Sequence, residues 1–326
     1  MKKIAIVTTG GTIAMTQDPN LGVVPSEKIN QKLNDIPYLK NIAKTELIEF
    51  ANKPSPHITP KDMLELSKLV KKLIKNKEYD GVVITHGTDT LEETAYFLDL
   101  TIDTVKPVVL TAAMRNLSEP SADGPMNLIA SVRVASLEKS ADNGVLVCLN
   151  DEIHAAREVT KTYTSNVATF DSPGYGPLGI VDEDTVVFFR RTLERMHIEA
   201  DAINDKVALI KTYTGDNGET LKHLPKMGYS AVVVEGFGRG NVPPAVGNVL
   251  KELVKQNFPV VVVSRCFKGR VLGVYGYDGG GADLKKHGII LGQEVSGQKA
   301  RIKMMVVLAK TKEINVIRDY FEFQNK

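Results

Sequence analysis

The sequence has little cysteine and no excess charge of either sign. Its two cysteines, Cys148 and Cys266, lie far apart among 326 residues, and neither belongs to a Cys-x-x-Cys pair. We therefore expect neither a disulfide framework nor a cysteine-based zinc site. The 41 Lys and Arg residues nearly balance 39 Asp and Glu residues, which gives a net charge of +2. This balance provides no electrostatic reason to expect a nucleic acid or a membrane surface as a partner.

Long hydrophobic runs are also missing, since no apolar segment approaches the roughly 20 residues that cross a bilayer. After Lys2 and Lys3 the apolar stretch is only Ile4–Val7, and a Gly-Gly turn follows soon after it. That stretch is too short for the core of a signal peptide, so we expect a cytoplasmic protein. The chain is 43% apolar and 25% charged, as in folded globular proteins, and its length suggests two domains.

Short β-branched runs alternate along the chain with segments of helical periodicity, and this alternation predicts a mainly parallel sheet with helices on both faces. The predicted strands are Ile4–Thr9, Glu46–Phe50, Val82–Thr85, Val108–Thr111, Val145–Leu149, Val207–Lys211, Ala231–Val234 and Val260–Ser264. The predicted helices are Pro60–Lys75, Leu91–Leu100, Asn127–Ala141, Val246–Gln256, Gln298–Leu308 and Ile314–Phe323.

Two segments interrupt this alternation. Residues 152–189 carry Gly-Pro turns and no long helical pattern, which predicts hairpins and loops. Residues 191–205 are highly charged and weakly periodic, which is typical of a linker. We therefore predict an α/β protein with a larger, flavodoxin-like N-terminal domain over residues 1–190 and a smaller C-terminal α/β domain over residues 206–326.

Ligands of open α/β sheets bind at the carboxyl ends of the strands, so the segments that follow the first three strands are of interest. These segments are Thr8–Thr12, Lys53–His57 and Thr85–Thr90. In the flavodoxin-like strand order the first strand lies between the second and the third. The three loops would then meet in a pocket that is rich in hydroxyl groups and contains one carboxylate.

The first loop contains Gly10 and Gly11, which allow a tight turn and a close approach of the backbone to a ligand. Thr12 would then present its hydroxyl beside free N–H groups, which can hold an anion or a developing oxyanion. The same residues are equally typical of a plain strand-to-helix turn. A complete G-x-G-x-x-G pattern and a Walker A motif are both missing, which argues against nucleotide binding.

The third loop contains Thr88 and Asp89. A threonine hydroxyl becomes a nucleophile only when a base takes its proton, and a lysine with a lowered pKa can be that base. Alternatively, Thr88 caps the helix that begins near Leu91, and this interpretation is favoured for an isolated Thr-Asp pair. We interpret His86 as a buried, hydrogen-bonded histidine. The six histidines are scattered without metal-ligand spacing, so we expect no metal.

With these residues in view, the sequence resembles the bacterial L-asparaginase/glutaminase family of amidohydrolases. The resemblance covers nearly the whole chain, and its Gly-Gly-Thr and His-Gly-Thr-Asp-Thr motifs are highly specific. The matching stretches are Thr9–Ala14, Asp80–Thr90, Glu92–Leu100, Ala113–Arg115, Ser121–Pro125 and Asp151–Thr164, with weaker similarity at Tyr175–Gly179 and Gln298–Arg301.

The resemblance implies hydrolysis of L-asparagine to L-aspartate and ammonia through an acyl-enzyme. The family's two catalytic threonines match Thr12, which we expect to attack first, and Thr88. Its Thr-Lys-Asp group matches Thr88, Lys161 and Asp89, in which the lysine moves protons for the threonine. Glutamine, D-asparagine or another small amide is an alternative substrate, and a non-catalytic protein that binds an amino acid is a further alternative.

The same resemblance implies the residues that bind the substrate. The serine matching Ser55 holds the α-carboxylate, Asp89 contributes to binding of the α-amino group, and Ala113 contributes backbone at the pocket wall. Gly11 and Thr88 are the other expected substrate-binding residues. No cofactor is implied. Family members are typically homotetramers built from close dimers, in which a neighbouring subunit completes each active site.

Three positions depart from the family's pattern. Val23 falls where many members have a tyrosine that hydrogen-bonds the first threonine, and valine has no group that exchanges a proton. Pro56 replaces a polar residue after the substrate-binding serine. Gly280 falls where some members have a glutamate that reaches the neighbour's substrate. We therefore expect weaker recognition of a free α-amino group and low activity on glutamine.

Overall fold

The computed structural model describes residues 1–18, 22–25, 36, 38–76, 78–193, 195–293 and 296–322. The chain divides into two compact units, Met1–Glu199 and Ala200–Lys326, called here the N-terminal and the C-terminal unit. Both contain a sheet with parallel strands, and the larger sheet belongs to the N-terminal unit. The predicted α/β class with two unequal parts is thus confirmed. The linker over residues 191–205 stays a prediction.

The N-terminal unit is built on an eight-stranded sheet with the order β12-β11-β8-β7-β6-β5-β1-β4. Five of its strands are parallel: β1, β4, β5, β6 and β7. The strand bounds in this unit are β1 Lys3–Gly10, β2 Met15–Asp18, β3 Gly22–Pro25, β4 Lys44–Lys53, β5 Gly81–Thr85, β6 Val108–Thr111, β7 Val145–Leu149, β8 Glu152–Ala155, β9 Thr160–Lys161, β10 Phe170–Asp171, β11 Gly179–Asp182 and β12 Thr185–Phe188.

Strand β1 lies between β4 and β5, as the flavodoxin-like order predicts. Val7 faces Ile48 on β4 and Ile84 on β5 in parallel register. Parallel strands place their carboxyl ends at one edge, so the loops after these three strands leave the sheet side by side. The register shifts between Thr8 and Gly10, where β1 gives way to the first loop.

The segment over residues 152–189 consists of short antiparallel strands and loops, which confirms the prediction. Strand β8 pairs with β7 and β11, β11 pairs with β12, and β9 pairs with β10 in a separate two-stranded sheet. Asn150 and Asp151 both have positive φ at the tight turn between β7 and β8. Asn and Asp tolerate this conformation better than most residues, which explains why a two-residue connection fits here.

Among the described residues, the helices of the N-terminal unit are α1 Leu39–Ile42, α2 Pro60–Lys75, α3 Leu91–Thr101 and α4 Gly124–Ala135. Helix α2 has the predicted bounds because Thr59 and Asp62 form a reciprocal capping box in front of Pro60. The helix predicted over Asn127–Ala141 is wrong at both ends. It begins at Gly124, and it ends at Ala135, after which a 3-10 helix runs over Glu138–Asn143.

One face of the large sheet packs against α4. Residues at alternate positions of neighbouring strands form this core, among them Ile6, Val83, Val109 and Leu146, all of which are buried. Each such side chain contributes about 1.5–3 kcal/mol when it leaves water. The near-continuous apolar character of these strands follows from helices covering both faces of the sheet.

The C-terminal unit has a parallel sheet with the order β13-β14-β15-β16. Its strands are β13 Val207–Lys211, β14 Ala231–Gly236, β15 Val260–Ser264 and β16 Ile290–Leu291, and its helices are α5 Glu219–His223, α6 Pro244–Lys255, α7 Gly281–Lys286, α8 Gly297–Lys310 and α9 Ile314–Phe321. In the described part of both units, no helix is long and apolar enough to span a bilayer.

Candidate active site

The first and third loops of the N-terminal unit touch through glycine backbone. Gly11 has a φ of +82°, and a Cβ on it would collide with the backbone of His86 and Gly87. Its N–H donates to the carbonyl of Lys53 at 3.2 Å, which also joins the first loop to the second. Only glycine allows both the positive φ and the close contact with the backbone of His86 and Gly87. The Gly-Gly pair therefore joins the first and third loops in addition to forming a turn.

The second loop is joined to the third in the same way. A Cβ on Gly87 would lie 2.7 Å from both Cβ and Oγ of Ser55, which is buried at the start of a 3-10 turn. The Thr90 hydroxyl donates to the Ser55 carbonyl at 2.9 Å. The three loops therefore meet at the carboxyl edge of the sheet, as the strand order predicts.

Lys161 completes a polar cluster in this region. Its Nζ donates to Thr88 Oγ1 at 2.9 Å and to Asp89 Oδ1 at 2.7 Å. Thr88 is buried, the Lys161 side chain is 15% exposed and that of Asp89 is 59% exposed. The cluster thus has a buried hydroxyl and a partly exposed carboxylate, joined by one ammonium group. Such a group can exchange protons with a ligand bound beside Thr88.

The alternative prediction, that Thr88 caps the following helix, is wrong. Helix α3 begins at Leu91, and the residue in front of it is Thr90. Residue 88 lies in the turn before that position, and its oxygen accepts the Lys161 hydrogen bond. The helix still matters here, because its N-terminal end favours the negative charge of the nearby Asp89.

His86 is fully buried, as expected, and its surroundings define its protonation. Nδ1 lies 2.9 Å from the Gly87 carbonyl, which only accepts hydrogen bonds, so Nδ1 carries the proton. Nε2 then accepts from the Thr94 hydroxyl at 3.0 Å. Burial lowers the pKa of His86 to about 4. The residue is therefore neutral near pH 7 and orients the peptide that precedes Thr88.

The other sequence-predicted residues have defined positions. Thr12 is half-buried and opens a 3-10 turn directly after Gly11. Ala113 is buried in the segment that follows β6. A Cβ placed on Gly124 would lie 3.3 Å from the Cβ of Ala113. Val23 has its backbone in β3, paired with Gln17, and its side chain lies outside the described residues.

Reasoning from the residues alone did not find Lys161, which only the resemblance indicated. The residue sits on the two-residue strand β9, where Thr160 and Lys161 pair with Asp171 and Phe170. A strand this short has no detectable periodicity. The Thr-Lys-Thr sequence also gives no local sign that its middle residue reaches back 73 positions.

As for metal sites, no group of three or more His, Cys, Asp or Glu side chains that could hold an ion occurs in the part of the chain that the structure describes. The polar groups that do converge, a hydroxyl, an ammonium and a carboxylate, suit acid–base and nucleophilic chemistry.

Two family models cover almost the entire chain. The model described as Asparaginase, N-terminal, matches residues 3–194, and the Glutaminase/Asparaginase C-terminal domain matches residues 206–321. These matches, together with the fold and the polar cluster, place the protein among the amidohydrolases. The chain belongs to the asparaginase family.

Individual relatives agree with this assignment. The chain is 35% identical over 312 residues to an L-asparaginase of Bacillus licheniformis, covering 96% of this chain and 97% of that protein. It is 38% identical over 332 residues to a probable periplasmic L-asparaginase of Haemophilus influenzae, covering 99% and 93%. Among solved structures, a probable cytoplasmic L-asparaginase of Campylobacter jejuni aligns with a TM-score of 0.88 at 36% identity, covering 98% of this chain and 99% of that one.

Proposed function

We propose that this protein is an L-asparaginase that converts L-asparagine and water to L-aspartate and ammonia through a threonine acyl-enzyme. The observation that carries the proposal is the position of Lys161, whose Nζ bridges Thr88 Oγ1 and Asp89 Oδ1. The full-length similarity to proteins named L-asparaginase supports the choice of substrate.

In the proposed reaction, Thr12 Oγ attacks the side-chain amide carbon of asparagine while its proton passes to a water molecule and on to solvent, where the ammonia released later takes it up as ammonium. Backbone N–H groups of the Gly11 and Thr88 loops stabilise the negative charge that develops on the amide oxygen. Thr88 donates a proton to the departing nitrogen and recovers one from the Lys161 ammonium. The C–N bond breaks, ammonia leaves, and the acyl group remains on the Thr12 oxygen.

Water then completes the cycle. It attacks the ester carbon, one of its protons returns to Lys161, and the other restores the Thr12 hydroxyl. Aspartate leaves, and the balance is one water consumed for one ammonia released. Asp89 accepts a hydrogen bond from Lys161 Nζ, and in the proposed reaction this bond holds the amine beside Thr88 in both half-reactions.

Substrate binding is assigned to the residues around this cluster. Ser55 holds the α-carboxylate and Asp89 attracts the α-amino group, while Gly11 and Ala113 line the pocket with backbone. The contact between Gly87 and Ser55 supports this assignment, because it puts the proposed carboxylate ligand next to the Thr88 loop. Loss of a polar partner to a charged group costs about 1.5–3 kcal/mol, so Pro56 is expected to raise KM.

Ammonia release from the purified protein tests the proposal. L-asparagine, L-glutamine and D-asparagine are each supplied at low and high millimolar concentration near neutral pH. Release mainly from L-asparagine is the expected result. Equal kcat/KM for asparagine and glutamine would contradict the proposed preference, and no release from any of them would favour another amide or a binding role.

We further propose a cytoplasmic homotetramer, built as a dimer of dimers. Similarity to the probable cytoplasmic L-asparaginase of Campylobacter jejuni supports the compartment. Exposed aromatic residues in the C-terminal unit, Phe267, Tyr275 and Tyr277, support burial against another subunit. Light scattering is expected to give about four times the 35.7 kDa of one chain, and a monomeric mass would contradict this.

A further inference from the structure

The β9–β10 hairpin that presents Lys161 is tied to the large sheet by buried side chains. Ser172 follows directly after β10 and is 1% exposed, and its Oγ lies 3.0 Å from Nδ1 of His154. His154 belongs to β8 of the eight-stranded sheet and is equally buried. On its other side, His154 Nε2 lies 3.2 Å from Oε2 of Glu152.

The direction of these bonds follows from what each group can donate. An ionised Glu152 only accepts hydrogen bonds, so His154 Nε2 carries a proton. In a neutral ring Nδ1 is then an acceptor, and the Ser172 hydroxyl donates to it. A hydrogen bond between two buried groups is electrostatically stronger than one in water, and leaving either group without its partner is costly.

The entry to the hairpin is fixed as well. Arg190 binds the Glu158 carboxylate with both terminal nitrogens, at 2.6 and 3.4 Å, and its Nε donates to the Pro177 carbonyl at 3.2 Å. Glu158 lies three positions before Lys161, and Ser172 lies two positions after Phe170, the cross-strand partner of Lys161. Both ends of the lysine-bearing segment are therefore anchored.

We propose that His154 is a positioning residue for the reaction, acting through Ser172 and the β9–β10 hairpin on the distance between Lys161 Nζ and Thr88 Oγ1. This inference rests on the proposed function, because it assigns importance to a proton donor at Lys161. A misplacement of about 1 Å in such a group can lower the rate by about 100-fold. In the proposed role His154 acts through Ser172, and its effect is on kcat.

Two substitutions of His154 test the hydrogen bonds of its two ring nitrogens one at a time. Asn places its Oδ1 where Nδ1 stands, so His154→Asn keeps an acceptor for Ser172 and loses the bond to Glu152. Gln places its amide nitrogen near Nε2, so His154→Gln keeps the bond to Glu152 and leaves Ser172 without its acceptor. The Gln variant is expected to lose about tenfold in kcat, and the Asn variant less than about threefold, with KM for asparagine changed less than about twofold in both.

Ser172→Ala provides a smaller change, since it removes only the hydroxyl. It is expected to lower kcat as His154→Gln does. Ser67→Ala is its matched control, because Ser67 is also 1% exposed in the N-terminal unit and hydrogen-bonds Thr101 at 2.9 Å. The control is expected to lose similar thermal stability and to keep its kcat.

Amide hydrogen exchange of the full-length protein gives a readout that is independent of activity. Residues 160–172 are expected to exchange faster in His154→Gln and Ser172→Ala than in the wild type and in His154→Asn. Equal kcat in the Asn and Gln variants, or unchanged exchange in the Gln variant and in Ser172→Ala, would overturn the proposal. An inactive wild type with the expected exchange pattern would instead identify the proposed function as the error.

Discussion

The backbones of Gly11 and Gly87 approach so closely that a Cβ on Gly11 would lie 2.5 Å from Gly87 Cα. Each glycine immediately precedes one of the two threonines proposed to act on the substrate. The contact therefore fixes the separation of the Thr12 and Thr88 loops through rigid backbone rather than through side chains, which have more rotational freedom.

Substitution of Gly11 tests this contact, and Gly215 is the matched control. Both residues have a φ of +82°, but no atom lies within 4 Å of a Cβ on Gly215. Gly215→Ala is expected to lower the free energy of unfolding by about 1–2 kcal/mol, the cost of a left-handed conformation. Gly11→Ala is expected to cost more and to reduce kcat/KM at least about tenfold, since the Thr12 and Thr88 loops must separate. Urea unfolding and steady-state kinetics measure both quantities, and equal effects of the two variants would contradict the argument.

Removal of the Lys161 amine tests its role in proton transfer. Lys161→Met keeps the length of the side chain and is expected to lower kcat by about 10²- to 10⁴-fold, the usual contribution of a general acid or base. Lys106→Met is the control, because Lys106 also donates two hydrogen bonds, to the carbonyls of Asn76 and Tyr79. The control should keep its kcat. A Lys161→Met enzyme with more than a tenth of the wild-type kcat would rule out this role.

Substitution of Thr88 tests whether the protein is an enzyme or only binds its ligand. Thr88→Ala is expected to abolish turnover while calorimetry still detects asparagine binding, and Thr88→Ser is expected to retain activity because it keeps the hydroxyl. Ammonia release and titration calorimetry on the same preparations provide the measurements. If the wild type binds asparagine without turnover, the non-catalytic alternative is correct.

Burial of neutral His86 makes stability depend on pH. The pKa of this group is about 4 in the folded protein and about 6.5 in the unfolded chain, so the unfolded state binds more protons between these values. Stability is therefore expected to fall as pH decreases from 6.5 to 4, by on the order of 3 kcal/mol from this residue. His86→Gln should weaken that dependence in urea unfolding. An unchanged slope in His86→Gln would show that other groups cause it.

A glutamate at position 280 cannot be introduced without strain. A Cβ on Gly280 would lie 2.9 Å from the Tyr275 carbonyl carbon and 2.9 Å from the Tyr277 oxygen, whereas a Cβ on Gly276 meets nothing within 4 Å. Gly280→Glu is therefore expected to lower the melting temperature by several degrees, corresponding to about 1–3 kcal/mol of overpacking, without a lower KM for asparagine. Gly276→Glu should leave stability unchanged. A lower KM in Gly280→Glu would show that the loop accommodates the side chain.

Much of the fold could be predicted because local signals agreed with the global arrangement. The runs that became β1, β5 and β6 are apolar up to their last one or two residues, which are threonines, and Thr59 with Pro60 marks the start of α2. The end of α4 was missed because no Gly or Pro marks it. There, the Ser136 hydroxyl donates a hydrogen bond to the carbonyl of Val132, and the backbone of Leu137 is extended.

The site was predictable only in part. The strand order brought the loops of Thr12, Ser55 and Thr88 together, since parallel neighbours share an edge. The contact partner of Gly11 was not predictable, because a glycine in the sequence indicates that another group comes close but not which group it is. The placement of Lys161 depends on hydrogen bonds of His154 and Arg190 that join distant segments, and no short stretch of sequence encodes them.

Thr88 and Lys161 are 73 positions apart, and their hydrogen bond closes a loop that includes three strands of the large sheet, β6, β7 and β8. Loop-closure entropy delays such distant pairings until the intervening strands have assembled. During refolding from urea, recovery of circular dichroism is therefore expected to precede recovery of ammonia release. Recovery of activity then reports the last step of assembly, and a chain halted before β9 forms would lack the ammonium group that is proposed to exchange protons with Thr88.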